Sequence, residues 1–347
     1  MRKRRLPALL LSFAMTAAAG AEPDADADTS KQKKGAEFQF FLDNDRWAKS
    51  DRYYTNGLKL GFGVNIDNVP AHRATREALD RLGAGLGCGY ASDHKAGVFI
   101  GQNIYTPRDI EIASPQPFDR PWAAWLYGGI VLQALRTCGN RDALDTVELD
   151  VGVVGPIALG EEVQNVWHRF IHVPEAKGWA NQIRNEPAFL LSYLHKEKQK
   201  LGSFEVIPHV GVAAGTVMTF VRTGALVRVG KHMSGFGPDR IEPGGAMLQN
   251  VGPRKTCDAW WPCEAYVFAG ADARIVFWNI FLDGTVFRDS PSVDRKPFVY
   301  DLSFGLSMRF RYARFTVSRV TRSEEFTSTL RGGGKQTFHS FNIGIEY

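Results

Sequence analysis

A strict alternation of apolar and polar residues recurs in several segments of this chain of 347 residues. Between Tyr300 and Phe310 every second residue is apolar, and those between are small or polar: Asp301, Ser303, Gly305, Ser307 and Arg309. Runs around Leu58 and Val147 repeat the same period of two. Successive side chains of a β-strand point to opposite faces, so each segment predicts a strand with one apolar and one wet face. We interpret the pattern as apolar outside and polar inside.

The end of the chain distinguishes a membrane barrel from a soluble β-sandwich, whose strands also alternate. Phe341, Ile343, Ile345 and Tyr347 share the apolar face of a final strand, which is typical of a barrel that closes on its first strand. We therefore predict an all-β fold, a twelve-stranded antiparallel transmembrane β-barrel with an extracellular loop helix. The predicted strands are about 36–44, 54–64, 94–105, 122–135, 145–155, 188–198, 205–216, 218–230, 264–278, 298–311, 313–324 and 336–347.

The first residues predict export. Basic residues directly follow Met1, an apolar run spans Leu6 to Met15, and Ala19-Gly20-Ala21 has the small residues of a cleavage site. That run is far shorter than the roughly 20 residues of a spanning helix, and no later stretch is long and apolar enough to be one. We predict a signal peptide over 1–21, a mobile polar leader over 22–34 and one outer-membrane barrel domain over 35–347.

Charge and cysteine content fit this destination. The four basic residues of the predicted signal peptide account for most of the formal net charge of +5, so nothing points to nucleic acid. None of the four cysteines has the spacing of a zinc site, and disulfides are expected in an oxidising compartment. Three pairings are possible; the short spacing favours Cys257 with Cys263, and Cys88 with Cys138 then follows.

Strand order places the connections. With the N-terminus in the periplasm, all four cysteines fall in periplasmic connections, on the side where disulfides form. The outer loops are then about 45–53, 106–121, 156–187, 217, 279–297 and 325–335.

A helical stretch over 160–170, in the third outer loop, is the first candidate for chemistry. Glu161, Gln164 and His168 share one face of this helix, whereas Val163, Trp167 and Phe170 are expected to pack against the barrel. A histidine placed in this way could act as a general base near neutral pH. The alternative is a surface histidine on an amphipathic loop helix.

The polar segment 44–57, between the first two strands, is the second candidate. Its carboxylate, amide and hydroxyl oxygens are hard ligands of the kind that calcium binds, although an ordinary polar turn has the same composition. Extending the strand pattern puts Asn44 on the lipid side and Thr55 on the lumen side, unless a bulge resets the register.

Several motifs, in order along the chain, resemble the lipid A 3′-O-deacylase family of Gram-negative outer membranes. The resemblance begins in the first strand, continues past the loop helix, and extends through weaker signals to nearly the whole mature chain. Its motifs lie at 44–45, 51–57, 102–107, 152–156, 162–169, 178–182, 235–238 and 321–326.

The resemblance implies a calcium-dependent esterase that removes the 3′-linked acyloxyacyl group of lipid A in the outer leaflet. By position, His168 would activate water, and Asn44, Asp45 and Thr55 would also belong to the active site. Calcium would stabilise the oxyanion. The implied partners are lipid A or lipopolysaccharide and outer-membrane lipid, and a monomer is expected.

The sequence departs from the family pattern after the histidine. Members carry a glutamate six residues on, where this chain has Pro174, so Glu175 is the candidate that would join Asp45 as a calcium ligand. The family's substrate-positioning lysine has no clear counterpart at 112–117, and Arg108 or Arg120 could bind lipid A phosphate instead.

Two other functions are compatible with a barrel. An outer-membrane phospholipase A also uses calcium and twelve strands, but it needs a serine nucleophile beside its histidine, and no such pair is evident. A non-catalytic barrel, either a pore or an enzyme that has lost its site, is the alternative from another class.

Overall fold

The computed structural model describes residues 35–46, 52–242, 244, 248, 261–328 and 334–346. Twelve strands form a closed antiparallel barrel in which each strand pairs with its neighbours in the chain and the last pairs with the first. The strands are β1 (Glu37–Asn44), β2 (Tyr53–Asn65), β3 (Asp93–Thr106), β4 (Ala123–Cys138), β5 (Arg141–Val154), β6 (Glu186–Leu201), β7 (Phe204–Gly215), β8 (Met218–Lys231), β9 (Glu264–Asn279), β10 (Phe298–Arg309), β11 (Ala313–Arg322) and β12 (Gln336–Glu346).

The two faces of the wall follow the alternation in the sequence. In β10, Leu302 and Phe304 are more than half exposed on the outside, whereas Asp301 and Ser307 are buried inside. Strands β3 and β5 repeat this arrangement, with Ile100 exposed on the outer surface of the barrel. The prediction of an apolar exterior and a polar, charged interior is therefore confirmed.

The two ends of the barrel differ. We call the end that carries the connections β3–β4, β5–β6 and β9–β10 the loop end, and the opposite end the turn end. The loop end holds α2 (Gly160–Phe170), with the bounds that the sequence predicts, and the short helix α3 (Ile280–Asp283). Among the described residues, no helix has the length and apolar character to cross a membrane.

The turn end carries an unpredicted helix, α1 (Arg73–Gly85), between β2 and β3. The Arg136 side chain lies directly over Gly83, where a Cβ atom would clash with the guanidinium, so helix and barrel wall pack closely. A disulfide joins Cys88 and Cys138, whose Cα atoms are 4.4 Å apart, and this confirms one predicted pairing. The other pairing includes Cys257, which lies outside the described residues, as do the signal peptide and the leader.

The lumen at the loop end is filled with aromatic side chains. Tyr105 stacks on Phe281 of α3 at 4.1 Å, and Trp125 stacks on Tyr127 at 4.0 Å between ring centroids. Phe281 is buried, so α3 turns its apolar residues into the barrel. The resulting cluster is a packed core inside the barrel wall.

The connection between β8 and β9 also enters the lumen, although the sequence predicts an ordinary connection there. Among its described residues, Ile241 lies beside Gly57 of β2. Glu242 accepts hydrogen bonds from Arg322 at 2.7 Å and from Tyr105 at 2.8 Å. The inward charges of the wall need partners once they are buried, and this segment provides them. Alternation within strands does not reveal such an insertion.

Candidate active site

A β-bulge at the loop end of β2 turns Thr55 outward. The pairing of β2 with β3 shifts register between Tyr54 and Asn56, and Tyr53 has a positive φ of 71°. Tyr54 is fully buried in the luminal cluster. Thr55, the extra residue, bonds through its hydroxyl to that of Thr106, 2.7 Å away. The expectation that Thr55 faces the lumen is therefore wrong, because the bulge resets the register.

Asn44 and Asp45 lie beside this bulge. Asn44 is the last residue of β1, pairs with Asn56 of β2 and shares the outward face with Phe40 and Leu42. Asp45 is 1% exposed; its carboxylate accepts the backbone N–H of Arg52 at 2.7 Å. Asn44 and Thr55 are thus held on neighbouring strands at the outer edge of the loop end.

The loop helix α2 packs against the outside of the wall, over β3 and β4. Its first residue, Gly160, lies so close to Ala124 and Trp179 that a Cβ atom would come within 2.5 Å of each. Just before the helix, the carbonyl of Ala158 accepts a hydrogen bond from the Gln102 side chain at 2.6 Å. The contacts join a small apolar cluster that includes Ile104 and Trp122.

The amphipathic character of α2 is the reverse of that expected. Gln164, Asn165 and His168 are buried against the barrel, whereas Trp167 is 45% and Phe170 is 73% exposed. The prediction that Val163, Trp167 and Phe170 pack on the wall is wrong. The outer surface of this barrel is apolar, so the apolar face of a helix lying on it turns outward with the rest of that surface.

Buried hydrogen bonds support the polar face of the helix. The Gln164 side chain accepts from the Trp179 indole N–H at 2.9 Å. The Asn165 amide spans the backbone of Ala176, accepting from its N–H at 2.8 Å and donating to its carbonyl at 3.1 Å. These bonds fix the segment after the helix, residues 171–178, against α2.

His168 is 4% exposed, and its Nδ1 atom lies 2.7 Å from the backbone carbonyl oxygen of Pro174. A carbonyl oxygen can only accept, so Nδ1 carries the hydrogen and Nε2 is the basic nitrogen of the neutral ring. An oriented imidazole of this tautomer has the form that a general base requires.

The other predicted residues occupy different surroundings. The Glu175 carboxylate pairs with Arg169 at 3.2 Å and is about half exposed. Arg108 is half-buried, and its backbone N–H donates to Asp119 at 2.9 Å. Arg120 is buried and donates to Glu325 at 2.9 Å, so its charge is already compensated inside the protein.

Glu325 belongs to a charge cluster just beyond β11. Burial alone raises the pKa of its carboxyl, but the guanidinium groups of Arg120 and Arg322 outweigh this and hold the pKa below its usual value. The Glu325 carboxylate therefore stays ionised at neutral pH, and its ion pair with Arg120 anchors the 107–122 connection to the interior of the barrel.

Oxygen donors suited to calcium are present at the edge beside the bulge. Asp45 supplies a buried carboxylate, Asn44 an amide and Thr55 a hydroxyl, all hard oxygen ligands. In the part of the chain that the structure describes, no three His, Cys, Asp or Glu side chains converge as a metal cluster. The donor chemistry of Asn44, Asp45 and Thr55 is thus of the kind that calcium binds, whereas the Glu175 carboxylate pairs with Arg169.

Strand β3 connects the two candidate regions. Thr106 contacts Thr55, and Ile104, on the same face, packs in the cluster beneath α2. Sequence reasoning did not single out Thr106 or Gln102 individually, although both share the outward face with the apolar Ile100. Their polar side chains on an otherwise apolar strand face were the signal in the sequence that could have identified them.

Comparison with known proteins agrees with the fold. The family model described as outer membrane protein LpxR matches residues 7–346. The chain belongs to the LpxR family. LpxR family membership, together with the barrel, identifies it as a bacterial outer-membrane protein. No curated protein matches the sequence significantly.

Among solved structures, LpxR from Salmonella typhimurium superposes with a TM-score of 0.67 at 22% sequence identity, covering 90% of this chain and 100% of that one. The β domain of the Bordetella autotransporter BrkA gives 0.43 at 11% identity, over 91% and 99% of the two chains. The first likeness supports the fold, and the second is too distant to support an argument.

Proposed function

We propose that this LpxR family protein is a calcium-dependent lipid A deacylase that hydrolyses the ester of the 3′-linked acyloxyacyl group. The buried, oriented His168 between the loop helix and the outer wall is the observation that carries the proposal. A site on the outside of a barrel is open to a substrate that arrives sideways through the membrane, whereas a luminal site is not.

We infer an orientation of the barrel in which this site faces the outer leaflet. Strand β1 begins and β12 ends at the turn end, so with the N-terminus in the periplasm the loop end with α2 faces outward. Trp167 and Phe170 then lie among acyl chains, while the polar face of α2 stays sheltered against β3 and β4. Lipid A is the acylated glycolipid of that leaflet.

His168 acts as the general base in the proposed reaction. Its Nε2 atom takes a proton from water as the water oxygen attacks the ester carbonyl carbon. The tetrahedral intermediate then expels the 3′ oxygen of the sugar, which takes the proton back from the imidazolium. The products are the free acyloxyacyl acid and a 3′ hydroxyl, and no serine nucleophile is needed.

Calcium, when bound, would supply Lewis-acid stabilisation of the negative charge on the ester oxygen. Asn44, Asp45 and Thr55 are the residues that would hold it. Thr106 fixes the Thr55 hydroxyl through their hydrogen bond, and the Arg52 N–H fixes the Asp45 carboxylate. Arg108 remains a candidate for lipid A phosphate, whereas the buried ion pair of Arg120 favours a structural role.

The pore alternative lacks support from the interior. The described lumen contains the aromatic cluster at the loop end and a segment held by Glu242 and its partners. A pore needs a continuous water-filled path, and packed side chains of this kind close it.

The direct test is mass spectrometry of lipid A after incubation with the purified protein and calcium. His168→Ala should lower the rate by about 100-fold or more, the usual contribution of a general base. His172→Asn is the matched control: this exposed histidine follows the same helix, and asparagine tolerates its positive φ of 57°. Chelation of calcium should abolish turnover, and equal activity of His168→Ala would refute the mechanism.

A further inference from the structure

A row of polar residues crosses the outer surface of the barrel next to the candidate site. Arg319 of β11 is directly opposite His339 of β12, His339 is opposite Asn44, and Asn44 is opposite Asn56 of β2. Directly opposed residues of antiparallel strands have their side chains about 5 Å apart on one face. The four side chains therefore form one continuous row, which we call the outer polar row.

The row interrupts an otherwise apolar surface. On β11 the outward neighbours of Arg319 toward the turn end are Val317 and Phe315, both exposed, and on β12 Phe341 follows His339. Across β10, Arg319 is opposite the exposed Phe304. Ile104, opposite Asn56 on β3, is covered by the cluster beneath α2. Apolar surface borders the row at one end, and the loop helix borders it at the other.

Two polar groups of this row, the Arg319 guanidinium and the His339 imidazole, lack protein partners among the described residues. Arg319 is exposed, and it forms no ion pair with any described residue. The Nδ1 atom of His339 is buried, and it has no hydrogen-bond partner within the described ranges. An arginine on the lipid-facing surface of a barrel is tolerated best near the membrane interface. Arg319 lies three residues, or about 10 Å, before the end of β11 at the loop end. This position is close to the membrane interface.

We propose that Arg319 and His339 bind a phosphate group of the glycolipid substrate and so position its sugar beside Asn44. This rests on the proposed function and assigns it a substrate-positioning pair. An arginine and an imidazole side by side, with no carboxylate between them, are complementary to a phosphate monoester. His339 is one strand away from Asn44, at about 5 Å, and Arg319 is two strands away, at about 10 Å. Anchored by its acyl chains, the lipid presents its headgroup at this level of the wall.

Binding is measured with the full chain in detergent micelles and in the His168→Ala background, so that no turnover occurs. The probes are lipid A that carries both phosphates and the same lipid A after removal of its phosphates. Arg319→Gln is compared with Arg319→Lys, which keeps the charge, and with Arg311→Gln. Arg311 is the matched control because it is an exposed arginine near β11 at the turn end.

Arg319→Gln should raise the Kd for phosphorylated lipid A by about tenfold or more, as expected for the loss of one charge-assisted hydrogen bond. It should leave the Kd for the dephosphorylated lipid unchanged. Arg319→Lys should keep most of the affinity, Arg311→Gln should match the parent, and His339→Gln should show a smaller loss with the same selectivity. Inorganic phosphate at millimolar concentration should not displace the lipid.

Equal affinity of Arg319→Gln and its parent for phosphorylated lipid A would overturn the proposal, as would equal losses for the two lipids. Displacement by inorganic phosphate would identify a site for the free ion and would overturn the glycolipid assignment. The heat-dependent gel shift of folded barrels verifies that each variant is folded. Turnover by the wild type is measured separately, so failure of phosphate binding and failure of the esterase are distinguishable.

Discussion

The imidazole Nδ1 atom of His168 lies 2.7 Å from the backbone carbonyl oxygen of Pro174, six residues further along the chain. A backbone carbonyl oxygen therefore holds the Nδ1 side of this ring. The family resemblance implies a glutamate at position 174, and the neighbouring Glu175 is paired with Arg169 instead. At Nδ1 the backbone of residue 174 therefore contacts His168, whereas the Glu175 carboxylate turns to Arg169.

Replacement of Pro174 should be tolerated because its carbonyl remains. We expect Pro174→Ala to keep kcat/KM within about tenfold of the wild type, far from the loss caused by removing a general base. Steady-state kinetics on lipid A measures the difference. A loss as large as that of His168→Ala would show that the proline ring itself positions the site.

Trp167 should lie in the hydrocarbon of the outer leaflet. The chain has eight tryptophans, so the contribution of Trp167 is isolated as the difference between wild type and Trp167→Phe. In reconstituted vesicles, lipids brominated in their acyl chains should quench this contribution, and aqueous iodide should not. Trp261, 82% exposed at the turn end, is the control and should show the opposite behaviour. Iodide quenching of Trp167 would contradict the reversed orientation of α2.

Loss of the Thr106 hydroxyl should disturb Thr55. The two oxygen atoms are 2.7 Å apart and buried, so Thr106→Val leaves the Thr55 hydroxyl without this partner at a cost of about 1 kcal/mol. We expect a lower thermal stability in detergent and a lower kcat. Thr321→Val is the control, because its bond to Thr337 is longer, at 3.4 Å, and only partly buried. An unchanged kcat in Thr106→Val would show that the position of the Thr55 hydroxyl does not matter for catalysis.

Glu325 should make stability depend on pH. Its pKa is held low by Arg120 and Arg322 against the opposing effect of burial, so its ionised form stabilises the fold above the unfolded-state pKa of about 4.3. This stabilisation is lost as pH falls through the lower folded-state pKa. Glu325→Gln should cost about 3 kcal/mol at pH 7, with a difference that shrinks below about pH 4. Thermal unfolding across pH tests this, and Glu324→Gln, at a half-buried neighbour that pairs with the more exposed Lys296, should cost less.

The strands and their faces were predictable because a wall between lipid and a polar interior imposes period two on every strand. Leu302 and Asp301 show this most simply. The helix over 160–170 was predictable from its own residues, but its orientation was not. Trp167 turns toward the membrane and His168 toward the barrel wall. Helical periodicity separates the two faces, but it does not tell whether water or lipid surrounds the helix.

Other features depend on contacts that are distant in the sequence. The bulge that turns Thr55 outward depends on the pairing of β2 with β3, and Glu242 enters the lumen to meet Arg322, 80 residues away. Arg319 and His339 did leave a local signal, since each stands at an apolar position of its strand. Only the register of the barrel strands, which puts both residues near Asn44, shows that they could form a site together.

The most direct test of the account is the structure of the product. Lipid A is incubated with the wild-type protein and calcium, and tandem mass spectrometry identifies which acyl group is lost. The account predicts loss of the 3′-linked acyloxyacyl group as a single unit, with every other acyl chain retained. Unchanged lipid A, or release of a chain from another position, would contradict it.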